Sequence, residues 1–294
     1  MTNFYQQIAE NKRRSGFIVV FFILFIIITG YFLSYLFDSQ YFLPIAIFYS
    51  LFSSLGGYYF GDKVVLAINQ AIPATRKKYF DFYTVTENLA MVAKIPPPKI
   101  YVIESEAMNA FATGRDPQHA VICATTGLLN KLNRTELEGV IGHELSHIKN
   151  YDIRLMTLVS VLIGTLSILI NLSSRQMFWN RHNDNDRENN SGIFVIIGLL
   201  LMIFAPFIAQ LIQLAISRRR EFFADASSVS LTHQPSGLIS ALKKISTDPT
   251  PFTQASTATA SLYIANPFTK NKVASLFSTH PPVSERIKTL QEMM

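Results

Sequence analysis

Long apolar segments with almost no charge are the feature that most restricts what this chain can fold into. The segment from Gly16 to Phe37 is about long enough to span a hydrocarbon core, and it follows the basic residues Lys12 to Arg14. Only 16% of the 294 residues are charged, against roughly 25% in soluble proteins. The sequence therefore predicts an integral membrane protein.

Three further apolar segments complete the predicted set of spans. The second is Tyr41–Phe60, the third Leu155–Leu172 and the fourth Ile193–Ile216, which contains Pro206. The second is the weakest, because it holds a proline and two glycines. The first segment is too long for a cleaved signal peptide and lacks a cleavage pattern. We expect four transmembrane helices in two hairpins.

The positions of Lys and Arg predict the orientation of these spans. Positive clusters occur before the first span, after the second and at the end of the fourth, at Lys12–Arg14, Lys63 with Arg76–Lys78, and Arg218–Arg220. Positive charge concentrates on the cytoplasmic side, so both termini are expected there. Contact with the lipid bilayer explains the net charge of +6, and no basic face with interleaved aromatic residues indicates nucleic acid.

The spans divide the chain into four parts: an N-terminal hairpin at 1–60, a first cytoplasmic part at 61–153, an inserted hairpin at 154–217 and a second cytoplasmic part at 218–294. Neither cytoplasmic part alone makes a convincing core, but together they reach ordinary domain size. The expected fold is mostly α, with one cytoplasmic α+β domain. The single cysteine, Cys123, excludes an intramolecular disulfide and a cysteine-based metal site.

The motif His143-Glu144-Leu145-Ser146-His147 predicts a metal site. On a helix, positions i and i+4 share a face, so both imidazoles reach one ion, and Glu144 is placed to act as a base. The alternative is two surface histidines with a chance glutamate. A helix is well supported here, because Asn133 and Glu136 have the spacing of a capping box and apolar residues follow at helical intervals.

A third protein ligand is needed, and Glu221 is the best candidate. It lies where the predicted fourth span re-enters the cytoplasm, and the third span begins shortly after His147, so one hairpin brings the two helices together. Asp225, at i+4 from Glu221, is placed to accept a hydrogen bond from a ligand histidine. The alternative is that both acids are surface charges that balance the neighbouring arginines.

In these residues the chain resembles the HtpX-type membrane zinc endopeptidases, relatives of the prenyl-protein (CaaX) proteases. The resemblance covers nearly the whole chain, includes Asn109–Gly114 and Thr279–Pro282, and shows no departure at the matched positions. It implies a zincin-like catalytic domain that binds one zinc ion and cleaves polypeptides in membrane-protein quality control and stress response at the bacterial cytoplasmic membrane. The resemblance implies that the zinc ligands are His143, His147 and Glu221. It implies Glu144 as the catalytic base and Asp225 as the supporting carboxylate.

Two shorter segments give further expectations. The sequence predicts a pair of short strands at Asn109–Thr113 and His119–Thr125. An exposed edge strand containing Asn109, Ala110 and Phe111 would bind an extended substrate backbone, although an ordinary hairpin packed under the helix fits the pattern as well. His280 precedes two prolines, and either stabilises the oxyanion, as a histidine does in related enzymes, or serves as a structural cap.

Other functions remain as alternatives at this point. A narrow-specificity prenyl-peptide protease would need a broad cavity between many spans. A non-catalytic membrane scaffold would keep zinc structurally, usually with four protein ligands, and the sequence offers no good fourth one. A transporter is disfavoured, because the spans hold almost no ionisable residues. The favoured function is an endopeptidase that cleaves cytoplasmic parts of damaged membrane proteins.

Overall fold

The computed structural model of the protein describes residues 4–36, 38–179, 203, 204, 207, 211, 217–252, 256, 258–265 and 281–294, which are mostly helical. Short 3₁₀ helices lie at Pro117–His119 and Ala260–Leu262. The other elements, in chain order, are α1 (Phe4–Leu36), α2 (Phe42–Ile68), β1 (Ile72–Pro73), α3 (Phe80–Ala93), β2 (Lys99–Ile103), β3 (Ala110–Gly114), β4 (Ala120–Thr125), α4 (Thr126–Lys131), α5 (Arg134–Lys149), α6 (Asp152–Trp179), α7 (Arg218–Thr232), α8 (Pro235–Thr247) and α9 (Val283–Gln291).

The first two helices are long and apolar enough to cross a membrane, over Gln6–Tyr35 in α1 and Phe42–Ile68 in α2. They correspond to the first two predicted spans. The end of α1 packs against the start of α2, where Gly30 contacts Ala46. Large apolar side chains on both helices are exposed in the isolated chain, for example Tyr35 at 81% and Phe48 at 73%, which is expected of surfaces that face lipid.

The predicted third span lies within α6, but α6 meets the same criteria only together with α5, as a pair bent by 83°. The predicted fourth span, Ile193–Ile216, lies almost entirely outside the described residues, as does the segment Arg181–Asn190 before it. Phe207 of the fourth span is described, and its ring stacks 3.7 Å from that of Phe25 in α1. Four spans therefore stay a prediction, of which α1 and α2 are supported as candidate membrane helices.

A close contact joins the membrane helices to the sheet. At Gly61 of α2, a Cβ atom would lie 2.7 Å from Thr157 Cγ2 of α6, so only a hydrogen at this position allows the two helices to approach. The hydroxyl of Thr157 lies 2.8 Å from that of Thr113 and accepts a hydrogen bond from Gly114 N at 3.1 Å. The end of β3 is thereby fixed to α6.

The sheet has four strands in the order β1-β2-β4-β3, with β2 and β4 parallel and the other pairs antiparallel. The hairpin expected from the sequence is present as β3 and β4, with Ala110 opposite Ala124 and Phe111 opposite Cys123. Burial raises the pKa of the Cys123 thiol, so this side chain packs in β4 as an unreactive thiol. The pairing of β2 with β4 was not predicted.

One hydrophobic core contains residues from both of the predicted cytoplasmic parts. Leu137 and Val140 of α5 pack in the same buried cluster as Leu238 and Leu242 of α8. The sheet contributes Ile122 from β4 to this cluster. The helix that carries the histidine motif is therefore held between the sheet and the C-terminal helices.

Candidate metal centre

The local sequence fixes where α5 begins and what it buries. Asn133 Oδ1 accepts a hydrogen bond from Glu136 N at 2.9 Å, and Asn133 N donates to Glu136 Oε2 at 2.8 Å, which completes the capping box. Every residue from Gly139 to Ile148 is buried. Burying three ionisable side chains is unfavourable unless they bind a partner. This burial excludes the alternative of two surface histidines.

Helix α7 reaches α5 because the contact surface carries small residues. A Cβ atom at Gly142 would lie 2.8 Å from Ser228 Oγ, and the same hydroxyl donates to Gly139 O at 2.6 Å. This contact sets the distance between the helices. It brings Glu221 and Asp225, two turns and one turn before Ser228, against the histidine motif.

Three potential ligand residues converge between α5 and α7. His143 Nε2 and His147 Nε2 are 3.1 Å apart, and the two carboxylate oxygens of Glu221 each lie 3.6 Å from one of them. Tetrahedral zinc with bonds of about 2.0–2.2 Å separates its ligand atoms by about 3.3–3.6 Å. Within the part of the chain that the structure describes, the cluster holds these three residues and no fourth ligand. The donor set therefore fits a zinc ion with one position left for water or substrate.

Each histidine has a carboxylate at its other ring nitrogen. His143 Nδ1 lies 2.9 Å from Asp225 Oδ1, and His147 Nδ1 lies 3.0 Å from Asp152 Oδ2. A carboxylate there holds the proton on Nδ1 and turns the Nε2 lone pair toward the metal position. Glu221 and Asp225 are 5% and 1% exposed, so they are not surface charges that balance the arginines.

Sequence reasoning missed Asp152. It lies beyond the end of α5, after a turn in which Tyr151 has a φ of +61°, and the 83° bend between α5 and α6 returns it to His147. Asn11 of α1 donates from Nδ2 to Asp152 Oδ1 at 2.7 Å, and Arg220 Nη1 lies 3.6 Å from the same oxygen. The signal available in the sequence was an acid in the first turn of the next helix.

The sequence predicted no role for Arg286. It is fully buried and binds Asp225 through Nε at 2.8 Å and Nη2 at 2.6 Å. Its Nη1 donates to Ile264 O at 3.2 Å and lies 3.9 Å from Glu221 Oε2. Burial raises the pKa of Asp225, but Arg286 and His143 outweigh it and hold that pKa at about 2. Arg286 therefore keeps Asp225 ionised and in place.

A proton and a metal ion are expected to compete for His143. Burial and the charge of Arg286 lower the pKa of His143, but hydrogen bonds to Asp225 and Glu221 outweigh both and raise it to about 9. The metal-free cluster therefore holds a proton at neutral pH. Zinc binds neutral imidazole, so zinc binding at this cluster is expected to release a proton.

Asp152→Asn is expected to lower zinc affinity about 10–100-fold, because the amide does not hold the Nδ1 proton of His147 as a carboxylate does. Competition with a zinc-binding fluorescent chelator measures this. Asp248→Asn is the matched control, since Asp248 is also largely buried but accepts from Met108 N and Lys131. Equal zinc affinity in both variants would show that Asp152 does not support zinc binding.

The predicted substrate strand is at the sheet edge but is not exposed. Asn109, Ala110 and Phe111 are 3%, 1% and 1% exposed. Ala110 O accepts a hydrogen bond from Ile264 N at 3.0 Å, and the ring of Phe111 packs edge-on against Tyr263. The expectation of an exposed edge is therefore wrong at these residues, because the segment 258–265 covers them.

Of the other histidines, only His119 and His233 are described. His280 lies outside the described residues, which include Pro281 next to it, just before α9. His119 is half exposed and pairs with Asp116, with 2.7 Å between Nδ1 and Oδ1. His233 follows the last residue of α7 with a φ of +53°. Neither His119 nor His233 belongs to the metal cluster of the described residues.

Comparison with known proteins decides the family. The family model of peptidase family M48 matches residues 79–294, which include the whole metal cluster. The chain belongs to peptidase family M48. The Protease HtpX homolog of Streptococcus uberis is 43% identical over 98% of this chain and 99% of its own length. That of Dictyoglomus turgidum is 43% identical over 99% of this chain and 95% of its own length.

The resemblance stated from the motifs is thus confirmed, and the chain is a membrane-associated zinc metalloprotease of the M48 family. The scaffold without catalytic activity is excluded by the same finding. Among solved structures, the crystal structure of S. mikatae Ste24p matches 94% of this chain with a TM-score of 0.50 and 19% identity. The chain spans 62% of that structure's length, and the likeness concerns the fold alone.

Proposed function

We propose that this M48 protease cleaves cytoplasmic parts of misfolded or damaged membrane proteins, at a single zinc ion held by His143, His147 and Glu221. The observation that carries the proposal is the convergence of three buried ligand atoms within 4.8 Å on helices that adjoin the apolar segments. A site at the base of membrane helices favours substrates that are themselves anchored in the bilayer. We also propose that residues 61–153 and 218–294 form one catalytic domain.

The chemistry follows from the roles of the side chains. Zinc, when bound, supplies a Lewis acid that polarises the peptide carbonyl and lowers the pKa of a water molecule. Glu144 takes the proton from the attacking water and delivers it to the leaving amine nitrogen. Asp225 and Asp152 keep the two imidazoles oriented throughout. Glu144 is 1% exposed, so its carboxylate lies in a low-dielectric environment, where a hydrogen bond is electrostatically stronger than in water.

Substrate binding is proposed at the edge of the sheet. Asn109, Ala110 and Phe111 remain the proposed substrate strand, with one condition set by the fold. An extended peptide gains access to Ala110 O only when Ile264 N leaves it, so the segment 258–265 has to shift. The neighbouring Arg286, which also binds Ile264 O, would then link substrate binding to Asp225.

His280 is proposed as an oxyanion donor, carried by a segment that two prolines make rigid. His280→Ala should lower kcat by roughly 10²–10³-fold, the effect of losing one such donor. Zinc content and the thermal unfolding temperature should equal those of the parent and of the control His119→Ala. Lost zinc would make His280 a ligand, and lost stability would make it structural.

The orientation is proposed from the positive clusters, with the catalytic domain and both termini in the cytoplasm of a bacterium. The clusters Lys12–Arg14 and Arg218–Arg220 lie next to each other, since Arg220 Nη1 is 3.5 Å from Oδ1 of Asn11, the residue before Lys12. Cys123 is buried, so introduced cysteines can be labelled against a silent background. In intact cells, a membrane-impermeant maleimide should label Asn185→Cys, and should label the exposed site Lys77→Cys only after permeabilisation. The reverse pattern would contradict this topology.

Three substrates in proteoliposomes test the proposed specificity. The first is a membrane-anchored reporter with an unfolded soluble segment, the second is the same reporter with that segment folded, and the third is a prenylated peptide. We expect cleavage of the unfolded reporter alone. Cleavage of the prenylated peptide alone would instead establish the narrow-specificity alternative.

A further inference from the structure

A small cavity lined by arginines lies between the start of α1 and the first turn of α7. Its volume is about 110 Å³, and its lining includes Arg14, Arg219, Arg220, Gln7, Ser217 and the acid Glu10. Asn11, whose amide contacts both Arg220 and Asp152, is also part of the wall. Three cationic side chains line the cavity, against Glu10 in its wall and Asp152 behind it, which lies 3.6 Å from Arg220; the net positive charge favours an anion.

The cavity lies at the depth of lipid phosphates if the predicted spans are correct. The apolar segment of α1 begins at Gly16, directly after Arg14, and the fourth apolar segment ends at Ile216, directly before Ser217. Both elements therefore pass from hydrocarbon to water at the cavity. Basic pockets between helices at this boundary bind the headgroups of anionic lipids.

The side chains suit a phosphate group in kind and in size. Guanidinium groups bind phosphate through paired N–H donors, and the hydroxyl of Ser217 and the amide of Gln7 add neutral donors. Glu10 forms an ion pair with Arg14, which positions that guanidinium on α1. A volume of about 110 Å³ admits several water molecules or one phosphate group, but no folded peptide segment.

We propose that this cavity binds the phosphate of an anionic phospholipid headgroup. The bound phosphate bridges α1 to α7, and so stabilises the contact through which Asn11 and Arg220 reach Asp152, the partner of His147. The lipid is thereby a structural ligand of the protease rather than a substrate. This proposal concerns binding and stands independently of the peptide specificity proposed above.

Two pairs of variants with equal charge test the site. All four arginines are exposed, but Arg14→Gln with Arg219→Gln removes two that line the cavity, whereas Arg13→Gln with Arg218→Gln removes two outer arginines that do not line it, on the same two helices. Each protein, zinc-loaded in neutral detergent, is titrated with short-chain phosphatidylglycerol, with phosphatidylcholine of equal chain length, and with inorganic phosphate. The thermal unfolding temperature is the readout, and native mass spectrometry counts the bound lipid.

We expect phosphatidylglycerol at about 100 times its dissociation constant to raise the unfolding temperature of the parent and of the outer pair, Arg13→Gln with Arg218→Gln, by about 5 °C. The cavity pair should gain neither the shift nor the bound lipid, and phosphatidylcholine should have no effect. Equal losses in both pairs would show general attraction to charge and overturn the proposal. A full shift with inorganic phosphate alone would show a free-phosphate site instead. Should the cavity pair fail to fold, Arg219→Gln against Arg218→Gln decides in the same way.

Discussion

Replacement of Glu144 by glutamine is expected to abolish measurable proteolysis while zinc stays bound at the level of the parent protein. The amide keeps the shape of the side chain but cannot take a proton from water. General-base catalysis contributes roughly 10²–10⁴-fold to a rate, so the loss in kcat should be of at least this order. Single-turnover cleavage and metal analysis of the same preparation measure the two quantities together.

The control for this variant is Glu138→Gln, which makes the same chemical change on the same helix at a residue that pairs with Arg134. Its activity should equal that of the parent. If Glu144→Gln retained most of the parent activity, Glu144 would not be the base, and the proton would have to be taken by another group.

Replacement of Glu221 by alanine is expected to weaken zinc binding itself, whereas Glu144→Gln leaves zinc bound. Without its carboxylate, two histidines remain, which is one protein ligand fewer than catalytic zinc sites use. The loss of affinity should exceed the 10–100-fold expected for Asp152→Asn, because a ligand is lost rather than its support. Zinc content after dialysis against a weak chelator measures this loss of affinity. The control is Glu285→Ala, at an exposed residue.

Full zinc occupancy in Glu221→Ala would show that another residue completes the site. The folded state should survive the change, since α7 is held to α5 through Ser228 and Gly139. Circular dichroism of the metal-free parent and variant therefore separates loss of the ligand from loss of the helix.

The parts of the site that the sequence predicted depend on local spacing. The interval between His143 and His147 places both on one face of a helix, and Asn133 with Glu136 marks where that helix begins. Predicting Glu221 as a ligand needed only one non-local inference, that the chain returns to the histidine helix through an apolar hairpin. Asp225 then followed from its interval of four residues after Glu221.

The parts that the sequence did not predict depend on tertiary packing. Asp152 reaches His147 only because the chain bends by 83° after α5, and no residue pattern states that angle. Arg286 binds Asp225 across 61 positions of sequence, and periodicity cannot reveal such a pair. The same limit explains the error over β3: its edge looked free because the covering segment, 258–265, lies far along the chain.

Zinc at this cluster should account for all of the chain's endopeptidase activity. Purified protein in detergent should cleave casein when zinc is supplied, stop when a chelator removes the metal, and recover when zinc is returned. The parent and Glu144→Gln should be measured together, so that a contaminating protease is recognised by its activity in both. Cleavage that persists at full strength after zinc has been removed, or that is equal in the two proteins, would contradict the account.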